Sequence, residues 1–140
     1  IKLNKFMKYL KKIILVLSVL LFNTTFSQTT FKSNPDLEQQ FIGEVFGTNI
    51  TKDSQHYKNL LILLRERVLF SNVALDQSEK FPKLSQQPLF NKYNGEIKRD
   101  VNFDQSSFNV LKYDLNFFSP HTKVYRIDNT DWLIIINPKS

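Results

Sequence analysis

Apolar side chains at Leu37, Phe41, Ile42, Val45 and Phe46 recur at the three-and-four spacing that lines one side of an α-helix, which predicts a helix over 35–46. Asn34, Pro35 and Asp36 form its start signal: Asn accepts from unsatisfied backbone N–H groups, Pro suits the first helical position, and Asp complements the dipole. Gly47 follows as a ready C-terminal cap. After a polar link over 48–53, Ser54 caps a second predicted helix with Tyr57, Leu60, Leu61 and Leu64 on one side. Over 67–75, Val68 and Phe70 alternate with Leu69 and Ser71, a looser period that suits a strand with blurred ends. Residues 76–104 carry Pro82, Pro88 and Gly95 and no sustained period, and are expected to be irregular. A loop of that length in a compact fold marks either a functional segment or hidden elements.

Alternation returns in the last third. Tyr113, Leu115 and Phe117 alternate with Asp114 and Asn116, Ser119-Pro120-His121 turns, and 123–127 alternates again. Asp128-Asn129-Thr130-Asp131 then turns into the apolar run Trp132 to Ile136. This predicts a three-stranded antiparallel meander, its last strand central or under the helices because both its faces are apolar. Helices first and strands later define the expected class: α+β, with two short N-terminal helices packed on a mainly antiparallel sheet ending in the meander.

The front of the chain follows a different rule. Lys2, Lys5, Lys8, Lys11 and Lys12 precede a ten-residue apolar run, Ile13 to Phe22, broken only by Ser18. That run is shorter than the roughly 20 residues a membrane-spanning helix needs. With Thr25 and Ser27 at the small-residue positions before a cut, residues 1–27 read as a secretory signal peptide cleaved after Ser27. Ile1 is not an initiator, and Met7 would open a conventional signal peptide. Phe26-Ser27-Gln28 resembles the end of Bacteroidetes signal peptides, which implies a bacterial exported protein, secreted or periplasmic. Residues 28–140 are then expected to fold as a single small domain, with no stable transmembrane segment once the signal is removed.

Charge changes its meaning once that segment is set aside. The whole chain carries 19 Lys and Arg against 13 Asp and Glu. Five of the basic residues and none of the acidic ones lie in 1–27, so the remainder is 14 minus 13, or +1. A surface that gains from releasing phosphate counterions needs a concentrated cationic excess, so no nucleic-acid partner is expected. With no cysteine the exported domain has no disulfide, and its stability must come from burying Phe, Leu and Ile.

Motifs exclude more than they nominate. His56 and His121 are 65 positions apart, and neither has a companion at a ligand spacing; no metal and no cofactor are expected. Asp128–Asp131 fits a hairpin turn better than a calcium loop, since Thr130 and Trp132 stand at its later positions and no Gly follows. No G-x-S-x-G and no Gly-rich loop is present, and Gly43 and Gly47, although spaced G-x-x-x-G, have polar flanks. The catalytic residues, if any, are therefore unknown. The richest stretch runs from Leu89 through Asn94 to Asp100, where aromatic and cationic groups interleave on a loop, and Lys92, Tyr93, Arg99 and Asp100 are the candidate binding residues. The expected role is a non-catalytic binding or structural module with an envelope or extracellular partner. The alternatives are a small hydrolase of envelope polymers using Asp100, Asp104 or His121, and an inhibitor or immunity-type partner of another secreted protein.

Overall fold

In the computed structural model, which describes residues 28–30 and 34–139, the first helix, α1, runs Pro35–Phe46. Asn34 caps it through Oδ1, which accepts from the Asp36 N–H at 3.0 Å. Gly47 ends it at φ +53° and ψ −131°, a backbone region that side chains with a Cβ avoid. The predicted export segment, 1–27, lies outside the described residues. A second helix, α2, covers Gln55–Ile62 with Ser54 Oγ capping Tyr57 N–H. It then loosens into a wide π-type turn, Leu63–Arg67, that delivers the chain into strand β2, Val68–Asn72.

Four strands form one sheet in the order β1 (Gln28–Thr30), β2, β4 (Trp132–Ile136), β3 (Lys123–Arg126), every pairing antiparallel. The apolar run 132–136 occupies an interior position, as its lack of a polar face requires. Val68, Phe70, Tyr125, Ile134 and Ile136 come from alternate positions of three strands and join one buried cluster. The same cluster takes in Phe41, Ile42 and Val45 of α1 and Leu60, Leu63 and Leu64 from α2 and its turn. The class is therefore α+β. Glu38, fully buried on α1, is held in a bidentate grip by Arg65, with Nε at 2.9 Å from Oε1 and Nη2 at 2.6 Å from Oε2.

The predicted meander is corrected in one strand. Residues 113–117 do not enter the sheet; they follow a 3-10 turn at Val110–Lys112 and run beside the loop at 88–90. Phe90 N–H donates to Lys112 O at 2.8 Å and Asp114 N–H to Pro88 O at 2.9 Å. The alternation had a real cause, because Tyr113 and Leu115 are buried while Asp114 is exposed. An extended segment needs only one buried side and some backbone partner, and here the partner is a loop. Asn116, at φ 53°, then ends the extended run. What remains of the meander is the β3–β4 hairpin, with β2 on its far side.

The irregular excursion contains a short helix α3, Leu75–Ser78, and a 3-10 turn, Leu84–Gln86. Pro82 O accepts from Arg126 N–H at 2.9 Å, so the excursion covers part of the outer edge of β3. Among the described residues no helix is long and apolar enough to cross a membrane.

Candidate binding cleft

Where α1 ends, its last residue Phe46 turns its ring into an aromatic cluster. His56 from the first turn of α2 stands edge-on to it at 5.3 Å between centroids, and Phe90 and Tyr93 from the long loop lie at 5.5 and 5.6 Å. The loop is tied down there by Asn94, whose amide donates to the Glu44 carbonyl of α1 at 2.7 Å. Below these rings opens a cleft of about 600 Å³, within the 300–1,000 Å³ range usual for small-molecule sites. Leu60, Leu63 and Tyr125 contribute to its lining, and Phe117 and Phe118 follow the turn at Asn116. Phe118 is 77% exposed at the mouth of the cleft.

Polar groups are sparse, and only some are committed within the fold. The Tyr125 hydroxyl is spent on Leu115 O at 2.9 Å, and Gln87 donates to Lys83 O. Asp114, Asn116, the His56 ring and the Tyr93 hydroxyl line the same space with side chains that make no hydrogen bond among the described residues. An apolar floor with a few uncommitted polar groups at its margin can hold a small apolar or aromatic molecule and orient it.

The four nominated residues do not converge. Tyr93 lines the cleft, and Lys92 places its ammonium 5.1 Å from the Tyr93 ring centre. Arg99 and Asp100 instead line a separate depression of about 150 Å³ and are occupied by the protein itself. Arg99 donates to the carbonyls of Leu84 and Gln87 and lies over the Tyr113 ring. Asp100 accepts from Lys112 Nζ at 2.6 Å and from the Tyr113 hydroxyl at 2.9 Å, while its own N–H donates back to that hydroxyl at 3.1 Å. Glu44 of α1 closes the knot, 4.0 Å from Lys112 Nζ and 2.9 Å from the buried Asn109 amide. Burial, together with the Asp100 carboxylate, pushes the Tyr113 phenol up to about 12, so it keeps its proton and serves as a donor.

The residues named for hydrolysis are likewise spread out. Asp104 accepts from the Ser106 hydroxyl and N–H and from the Ser107 hydroxyl, and these bonds, the Ser106 hydroxyl first, hold its carboxyl below the usual range. His121 is exposed in its turn, where its N–H donates to Ser119 Oγ. Asp128 caps the Ser85 N–H and hydroxyl at 2.9 and 2.7 Å; burial pushes its carboxyl up, but the Ser85 donors outweigh it and the net shift is downward. That bond ties the β3–β4 turn to the 3-10 turn at 84–86. Among the described residues no group of three or more His, Cys, Asp or Glu is placed to hold a metal ion.

Sequence reasoning passed over Phe46, His56, Phe117, Phe118 and Tyr125. One signal was available: in Phe117-Phe118 two adjacent rings cannot both face the core of an extended segment, so one had to point outward. No family model matches the chain, and no curated protein or solved structure matches it either.

Proposed function

We propose that this chain is an exported, non-catalytic binding module of the cell envelope or exterior, and that the aromatic cleft takes a small apolar or aromatic molecule. The reading rests on one observation: a cleft of about 600 Å³ lined by aromatic rings, with uncommitted polar groups, in a chain whose nominated carboxylates Asp100 and Asp104 are tied into internal bonds. The order of charge, short apolar run and small residues in 1–27 supports export.

A neutral fluorescent probe, N-phenyl-1-naphthylamine, tests the cleft. About 0.3 kcal/mol for each of about 17 heavy atoms gives roughly 5 kcal/mol, or a Kd on the order of 0.1–1 mM. Phe118→Ala removes a largely exposed ring and should cost the fold about 0.5 kcal/mol or less, whereas Tyr93→Ala removes a ring packed on Phe46 and Phe90 and should cost about 1–3 kcal/mol. Each should weaken the probe about three- to tenfold, Phe118→Ala at an unchanged melting temperature and Tyr93→Ala in protein that is still folded at the assay temperature. Superimposable titrations for wild type and both variants would show that the cleft is not where the probe binds.

A further inference from the structure

A second, smaller depression of about 120 Å³ adjoins the cleft, and His56, Leu60, Leu63 and Phe118 line both. Its remaining walls are Asn59, Ile62, Lys139 and Arg67. Arg67 is the unusual member. Its residue is only 8% exposed, at the end of the wide turn after α2, yet among the described residues its guanidinium meets no carboxylate. Nε donates to Asn137 O at 2.9 Å and Nη2 to Phe117 O, both neutral carbonyls. The ion pairs among the described residues are Arg65–Glu38, Lys112–Glu44 and Lys112–Asp100, none of which involves it.

A guanidinium stays charged, and a buried charge without a counter-ion is costly. Burial lowers its pKa below the ordinary value, with no acidic neighbour among the described residues to oppose the shift. Lys139, an exposed basic residue, lines the same depression. Among the described residues the one acidic group lining either space is Asp114, which borders the main cleft and not the annex. The combined site is therefore polarised, with its carboxylate in the large aromatic part and its cations at the small end.

Deepening the reading of the cleft as a binding site, on which this inference rests, we propose that its ligand is a free amphipathic carboxylate. One apolar chain or ring body lies along the aromatic cleft, and its anionic head sits in the annex against Arg67 and Lys139. The annex has room for a head of a few atoms, and the head supplies the negative charge that Arg67 lacks among the described residues. Asp114, which lines the main cleft and not the annex, disfavours an anionic head there by like-charge repulsion.

Three ligands with one ten-carbon chain and different heads test it: decanoate, 1-decanol and decyltrimethylammonium, each below its micelle threshold, displacing N-phenyl-1-naphthylamine from the full chain. Decanoate should bind about tenfold tighter than decanol, the gain expected of a charge-assisted bond in a partly dry site. Decyltrimethylammonium should bind no better than decanol. Lys139→Gln alters an exposed side chain and should narrow the decanoate preference about two- to threefold with the melting temperature intact. Arg67→Gln should abolish the preference, and because Arg67 also holds two carbonyls, Lys139→Gln is the reading to rely on if that variant fails to fold. Equal binding of decanoate and decanol, with the probe still displaced, overturns the anionic head and leaves the apolar cleft standing. Failure of the probe and all three chains overturns both.

Discussion

Replacing Asp100 by Asn separates a structural carboxylate from a functional one. The substitution keeps an acceptor for the Tyr113 hydroxyl but removes the charge 2.6 Å from Lys112 Nζ. The Lys112 side chain is 9% exposed, and the next carboxylate, Glu44, is 4.0 Å away. Breaking a fully buried pair costs about 3–5 kcal/mol. Asp100 is 26% exposed and Glu44 remains, so the smaller penalty of a weakened charged hydrogen bond applies, about 1.5–3 kcal/mol. Against a total stability of about 5–15 kcal/mol that is a large fraction. With a urea m-value of about 1–3 kcal/mol/M the unfolding midpoint should fall by roughly 1 M. Adding Lys112→Met removes the stranded ammonium and should recover part of the loss, a coupling of about 0.5–3 kcal/mol. Probe binding in the cleft should be unchanged in the folded D100N protein. A midpoint within about 0.2 M of wild type would refute the structural role, and loss of binding at unchanged stability would return Asp100 to the ligand site.

Alkaline pH should expose the Tyr113 environment. Its phenol ionises near 10.0 when unfolded and near 12 when folded. The stability tied to this group is complete below pH 10 and is lost as pH rises toward 12, because the unfolded chain gives up the proton first; the loss reaches about 2 kcal/mol by pH 11.5, read as the difference between wild type and Tyr113→Phe in denaturation from pH 8 to 11.5. Parallel curves for the two proteins would contradict it. Gly47→Ala should destabilise by about 1–3 kcal/mol through backbone strain alone, because a Cβ there meets nothing within 4 Å while φ is +53°. A thermal melt that matches wild type would count against it.

Much of the fold was legible because local chemistry and tertiary need agreed. Asn34, Pro35, Ser54 and Gly47 mark helix ends by satisfying or sparing orphan backbone groups, and those bonds form whatever the helix later packs on. The run 132–136 had to be interior because it offers no polar side to water. The segment 113–117 misled for a physical reason: period two records that one side is buried, and does not record which backbone supplies the hydrogen bonds. The site divided along the same line. Tyr93 could be nominated from its loop, and its half-exposed ring lines the cleft. Arg99 and Asp100 carry the same chemistry, but their partners Leu84, Gln87, Lys112 and Tyr113 come from 12 to 15 positions away and become neighbours only after folding. Arg67 opens the ambiguous 67–75 stretch, where nothing in the residue pattern signals its burial or its lack of a counter-ion among the described residues.

Amide chemical-shift mapping by two-dimensional NMR, with N-phenyl-1-naphthylamine titrated into labelled protein, tests the binding cleft most directly. The account predicts saturable shifts at Phe46, His56, Phe90, Tyr93 and Phe117–Phe118, and quiet signals at Arg99, Asp100 and Asp104. Shifts confined to the 98–104 segment, or none that saturate, would contradict it.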